Sequence, residues 1–152
     1  MRAANLTLLL LAAVTGCDVE IGDACTQNVD CSPAGDRVCD IAQPGGYCTI
    51  EGCDEGTCPE ESLCVRFFPA EFLTVPCASA RDCGADQECL TSGLCASLAT
   101  ERRYCVRRCG TEGACRDGYA CRRTGIAGSE LAQDLDSYDA DRVGRFCAPE
   151  PL

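Results

Sequence analysis

Cys77, Cys83, Cys89 and Cys95 follow one another with five residues between each. No apolar helix or strand period underlies the stretch, so its only regularity belongs to sulfur. The chain carries 17 cysteines in 152 residues, a density typical of disulfide scaffolds. It has no Trp, and its only Met is the initiator. A chain this poor in bulky side chains does not offset its conformational entropy by burial alone. Covalent links must supply the difference.

The same spacing recurs with variations. Cys25, Cys31, Cys39 and Cys48 form a stretched copy; Cys53, Cys58 and Cys64 give three members of another, and Cys109, Cys115 and Cys121 three of a fourth. A bulky apolar residue stands before the last cysteine of each copy: Gly46-Tyr47-Cys48, Gly93-Leu94-Cys95, Arg103-Tyr104-Cys105 and Arg145-Phe146-Cys147. Taking these four as closing cysteines uses every cysteine from Cys25 onward. The expected organisation is unit one at 25–48, unit two at 53–105 with unit three (77–95) nested inside it, and unit four at 109–147.

Four cysteines allow three pairings, and connectivity is not legible from sequence alone. Adjacent pairing leaves tiny isolated loops, whereas interlaced pairing knots each unit into a plug. The expectation is therefore first to third and second to fourth. The bonds would be Cys25–Cys39, Cys31–Cys48, Cys53–Cys64, Cys58–Cys105, Cys77–Cys89, Cys83–Cys95, Cys109–Cys121 and Cys115–Cys147. One closed loop of about 15 residues contributes roughly 3 kcal/mol. Eight such bonds exceed the usual net stability of a domain, about 5–15 kcal/mol.

Cysteine at this density implies an oxidising compartment. Zinc is the rival reading, but there is no His and no Cys-x-x-Cys pair, so no metal is expected. Turn signals recur at Ser32-Pro33-Ala34-Gly35, Pro44-Gly45-Gly46, Asp54-Glu55-Gly56 and Asp117-Gly118. The fold class is small and disulfide-rich, mostly irregular with short β-hairpins, among them segments 47–49 and 103–106. One short helix is expected near 129–138, capped by Ser129, with Leu131, Leu135 and Tyr138 at i, i+4 and i+7.

Residues 1–16 begin with Arg2 and run into an apolar block from Leu6 to Val14, too short to span a bilayer as a mature helix. They read as an export signal. Val14-Thr15-Gly16-Cys17 follows and resembles the lipobox of bacterial lipoproteins. That resemblance implies removal of residues 1–16, a diacylglyceryl thioether on Cys17 and an acyl chain on the new N-terminus, with no other cofactor. Parity agrees, because an odd cysteine in an exported protein needs an explanation and lipidation of Cys17 leaves 16 to pair. Two or more chains make a stable anchor. Residues 17–24 read as a short acidic tether. Asp18 matches the inner-membrane retention signal of enteric bacteria, a rule other lineages do not follow. The expected location is the cell envelope, at the periplasmic face or cell surface, with the membrane left open. The whole mature chain is similar to cysteine-rich lipoproteins of predatory Gram-negative soil bacteria. Its units resemble Dickkopf-like and EGF-like modules by spacing, without the Cys-x-Cys pair of EGF. Neither resemblance brings a binding residue with it.

Net charge is −11, and all 13 basic residues are Arg. Residues 17–64 hold 11 acids and one Arg, whereas residues 101–123 hold seven Arg and three acids. The latter group is Arg102, Arg103, Arg107, Arg108, Arg116, Arg122 and Arg123. It has two readings. Guanidinium forks suit anionic groups such as lipopolysaccharide phosphates or acidic glycans. The favoured reading is internal pairing with acids such as Asp54, Glu55, Glu60 and Glu61. An acidic total gives no nucleic-acid footprint. The apolar stretch 65–75 is either the one small core or an exposed patch, and core is expected because unit three must dock somewhere. The acidic run 134–141 hints at calcium, but Tyr138 and Asp139 break the EF-hand template; it reads as the solvated side of the helix.

Catalysis has little to work with. Without His or Lys the common nucleophile–base pairs are missing, and paired cysteines leave no thiolate. The expected function is a non-enzymatic, membrane-anchored lipoprotein serving binding or envelope structure. A protease inhibitor and a passive surface spacer are the alternatives. Expected partners are the lipid bilayer through the anchor and an anionic glycan or envelope protein, not nucleic acid.

Overall fold

The computed structural model describes residues 19–110, 114–133 and 143–150. Its strands are short: β1 (Val38–Cys39), β2 (Cys48–Thr49), β3 (Ser62–Phe67), β4 (Gln87–Cys89), β5 (Cys95–Ser97), β6 (Arg102–Arg107), β7 (Tyr119–Arg123), β8 (Ser129–Leu131) and β9 (Arg145–Pro149). A single helical turn, α1 (Asn28–Cys31), follows Thr26 and Gln27, whose backbone N–H groups donate to the Asp30 carboxylate.

One plan is repeated four times. In each unit the third and fourth cysteines stand opposite each other on paired antiparallel strands: Cys39 with Cys48, Cys64 with Cys105, Cys89 with Cys95, and Cys121 with Cys147. Neither is bonded to its neighbour. The third takes the first cysteine of its unit and the fourth takes the second. The two bonds of a unit pack together, with three of the sulfur atoms within 4.8 Å of one another. Those sulfurs are all in disulfides, so these clusters are cross-links and not thiolate metal sites.

Units differ in what lies between the two hairpin strands. In unit three it is a tight turn, Leu90–Leu94, closed by the Gly93 N–H on the Leu90 carbonyl at 2.9 Å. In unit two it is the whole of unit three. In unit four it includes β8, which leaves its own unit and pairs with β3 to make the sheet order β6-β3-β8. The helix expected near 129–138 is therefore corrected in its first part: Ser129–Leu131 is strand, and 134–138 lies outside the described residues. The open edge of β3 supplies ladder partners that a lone helical turn lacks, with Val65 opposite Leu131 and Phe67 opposite Ser129.

The main core gathers Ile21, Tyr47, Leu63, Val65, Val106, Tyr119 and Phe146 around the sulfurs of units two and four. Ile21 requires a second correction. The tether expected at 17–24 is packed against the fold from Val19 onward. Ile21 is fully buried, the Gly22 N–H donates to the Cys48 carbonyl at 2.9 Å, and the Cys48 N–H returns to the Asp23 carbonyl at 2.9 Å. Arg107 pairs with Glu20. Two apolar side chains amid acids, Val19 and Ile21, pack against the fold and hold the segment down with these bonds.

Unit three docks on the β3 and β8 side. Phe68, Leu90 and Ala96 are buried together with Leu73 beside them. The apolar stretch 65–75 thus divides: Val65 and Phe68 are core, whereas Phe72 and Val75 are exposed, at 58% and 48%. A polar set reinforces the dock. Arg66 lies between Glu88 at 2.6 Å and Glu101 at 2.7 Å, and Thr91 donates its N–H and its hydroxyl to Glu130 at 3.0 and 2.7 Å. Among the described residues no helix is long and apolar enough to cross a membrane.

Candidate functional site

Side chains alternate along β3 and β6, so the pair has two chemically different faces. One carries Cys64, Arg66, Arg103 and Cys105, which hold bonds and ion pairs. The other carries Leu63, Val65 and Phe67 on β3 opposite Val106, Tyr104 and Arg102 on β6. The apolar face is not fully covered. Phe67, Tyr104, Val106 and Arg102 form one side of a cleft of about 360 Å³, closed by Tyr47 and Thr49 of unit one and by Phe146 to Pro149 of β9. Phe67 is edge-on to Phe146, with ring centroids 5.7 Å apart, and tilted against Tyr104 at 6.1 Å. These offset contacts are the favoured ones for aromatic pairs.

Three units meet at this cleft, and a stacked joint holds two of them in place. Tyr47 of unit one stacks on Tyr119 of unit four at 5.5 Å. Arg116 lies over the Tyr119 ring at 4.3 Å and donates to the Pro44 carbonyl at 3.0 Å, to the Gly46 carbonyl and to the Tyr119 hydroxyl. The Tyr47 hydroxyl accepts from the Arg107 N–H at 2.8 Å. Burial pushes the Tyr47 phenol up to about 12.

The polar groups of the cleft are Asp40, Gln43, Thr49 and Arg102. Burial raises the Tyr104 phenol, and the charges of Glu51 and Asp40 raise it further against the opposing effect of Arg102. The hydroxyl therefore stays protonated and able to donate. The site offers apolar ring surface and a few hydrogen-bonding groups, the usual composition of a binding pocket.

The arginine group is dispersed. Arg103 pairs with Glu101 and, at 2.5 Å, with Asp54; Arg107 pairs with Glu20; Arg108 donates to the Ser62 carbonyl at 3.2 Å. Arg116 is taken up by the Tyr47–Tyr119 joint. Arg122 is half-buried, its Nε without a hydrogen-bond partner, and Arg123 is exposed at the end of β7. Only Arg102 reaches the cleft, and its contact with the Glu101 carbonyl leaves the rest of the fork available. The seven arginines therefore do not form one anion-binding patch. Sequence reasoning passed over the cleft because Phe67, Tyr104 and Phe146 are far apart in the chain. Its signal was the bulky residue before each closing cysteine: Tyr47, Tyr104 and Phe146 are three of the four.

No protein-family model, curated protein or solved structure matches the chain.

Proposed function

We propose that this chain is an exported, lipid-anchored binding protein without catalytic activity, and that the aromatic cleft takes a sugar ring of an anionic envelope glycan. The observation that carries the reading is the cleft itself, aromatic on its walls and held by the disulfides of three units. A sugar presents an apolar C–H face and a hydroxyl edge. The rings of Phe67 and Tyr104 suit the first; Asp40, Gln43 and the Tyr104 hydroxyl suit the second. Arg102 offers a planar fork for a carboxylate or phosphate on the polymer. The sequence supports anchoring through Cys17, whose lipobox and odd parity point the same way.

The anchor is tested by palmitate labelling of the wild type against Cys17→Ser, with label expected only in the former. The cleft is tested by immobilising the Cys17→Ser protein and passing envelope polysaccharide and envelope protein fractions over it. Retention of acidic polysaccharide that falls at least tenfold in Tyr104→Ala, with all disulfides still formed, supports the reading. Retention unchanged by Tyr104→Ala, or seen only with protein, overturns it.

A further inference from the structure

The first described residue, Val19, is separated from Cys17 by Asp18 alone. Val19 is already part of the fold. Its carbonyl accepts from the Arg37 guanidinium, and its side chain packs against the cluster of Cys25, Cys31 and Cys48. Beyond it, Ile21 is buried and Glu20 is held by Arg107. There is no slack on the protein side of this junction.

Chain length then sets a limit. Two residues fully extended span at most about 7 Å. The polar layer on one side of a bilayer is roughly 5–8 Å thick, the difference between the full and hydrocarbon thicknesses shared over two faces. An acylated Cys17 has its chains in the hydrocarbon, so Val19 and Arg37 lie no farther out than the headgroups. We infer that the face of unit one around Val19, Arg37 and the exposed turn 32–36 is a docking surface for the phospholipid headgroups of the bilayer that holds the anchor. The inference rests on acylation of Cys17.

Arg37 supplies the chemistry. It is the only basic residue between 17 and 64, and it stands where the chain leaves for the membrane. Asp36 beside it accepts from the Ser32 hydroxyl and also feels the Arg37 charge. One fork of donors on a phosphate offsets part of the repulsion that this acidic unit would otherwise meet at the membrane surface. Topology places unit three at the far side of the central sheet from unit one. The segment that follows β2 of unit one joins the central sheet at β6, where the Cys105 N–H donates to the Ile50 carbonyl at 2.9 Å. Unit three joins it at β8, through Thr91 and Glu130. These are opposite edges of the order β6-β3-β8.

The absence of Trp makes a clean test possible. Ala34→Trp places a reporter in the exposed turn beside Arg37, and Ala85→Trp places one in an exposed loop of unit three. Each acylated mature protein is reconstituted into phosphatidylcholine vesicles containing a headgroup nitroxide lipid, and flotation and Trp quenching are read. Co-flotation with at least threefold stronger quenching of the Ala34→Trp protein is expected. Co-flotation with both reporters quenched alike overturns the docking surface while leaving the anchor standing. Protein that carries no acyl chain and does not float overturns both.

Discussion

Cys64 and Cys105 face each other across the β3–β6 pair, yet Cys64 is bonded to Cys53 and Cys105 to Cys58. The ladder brings the two sulfur-bearing residues side by side, and the interlaced bonds then fasten the hairpin to the loop before it. A direct bond would only have doubled a contact that the backbone already makes.

Loop length should therefore rank the bonds. Cys58–Cys105 closes a separation of 47 residues and Cys77–Cys89 one of 12. Replacing both members by Ser is expected to cost about 4 kcal/mol for the first pair and about 3 kcal/mol for the second. Denaturant unfolding checks the order. The Cys77/Cys89 variant should also lose hydrogen-exchange protection mainly within 77–95, because unit three docks through a small cluster of its own.

The half-buried Glu101 and the buried Glu130 should respond to pH in opposite directions. Burial pushes Glu101 up, but hydrogen bonds and charges from Arg66 and Arg103 outweigh it and hold the carboxyl below 4.5. Its stabilisation is present above the unfolded value and lost as pH falls through the folded one. Burial raises Glu130 above 4.5 despite the donors on Thr91. Its contribution is complete below the unfolded value and lost as pH rises through the folded one. Glu101→Gln should lower the melting temperature at pH 7 and flatten its fall on acidification. Glu130→Gln should match or exceed the wild type at pH 7 and converge with it below about 4.5. Thermal melts from pH 3 to 8 decide both.

Gly46 has φ +69°, and a Cβ there would lie 1.9 Å from the Cys25 carbonyl oxygen. Gly35 also has positive φ, at +82°, but faces open space. Gly35→Ala should cost about 1 kcal/mol from the backbone alone. Gly46→Ala should cost several times more, since backbone must move to admit it. Chemical denaturation compares them, and a non-reducing peptide map is expected to show Cys25–Cys39 and Cys31–Cys48 disturbed only in Gly46→Ala.

Arg116→Lys should behave as a severe change. Lysine keeps the charge but loses the flat guanidinium that stacks on Tyr119 and thereby aims Nη2 at Pro44, Gly46 and the Tyr119 hydroxyl. A loss of about 2 kcal/mol is expected from the unmet acceptors and lost stacking. Because the joint fixes one wall of the cleft, glycan retention should fall with it. The spectroscopic check is tyrosine titration: burial pushes the Tyr47 phenol up to about 12, and opening the joint to water should lower it.

The fold class was legible because sulfur spacing is a local signal: the small disulfide-rich build and its short hairpins follow from cysteine positions and turn residues. What escaped was set by long-range contact. Ser129 and Leu131 read as the cap and first apolar position of a helix, but the edge of β3 takes 129–131 as strand. Ile21 reads as an apolar residue in an acidic linker, and only the fold places it in the main core with Tyr47 and Tyr119. The arginines read as a patch because they are near in sequence. Strand alternation sends Arg102 to one face and Arg103 to the other, and β7 carries Arg122 and Arg123 elsewhere.

The variable span between the two opposed cysteines of each hairpin makes the molecule a natural graft holder. Foreign peptide spliced in at Ser92, with the Thr91 contacts to Glu130 left in place, would emerge from a stem whose base is already bolted, much as unit three emerges from unit two. Any one such span can swell while every knot keeps its partners, as the nesting of unit three inside unit two shows.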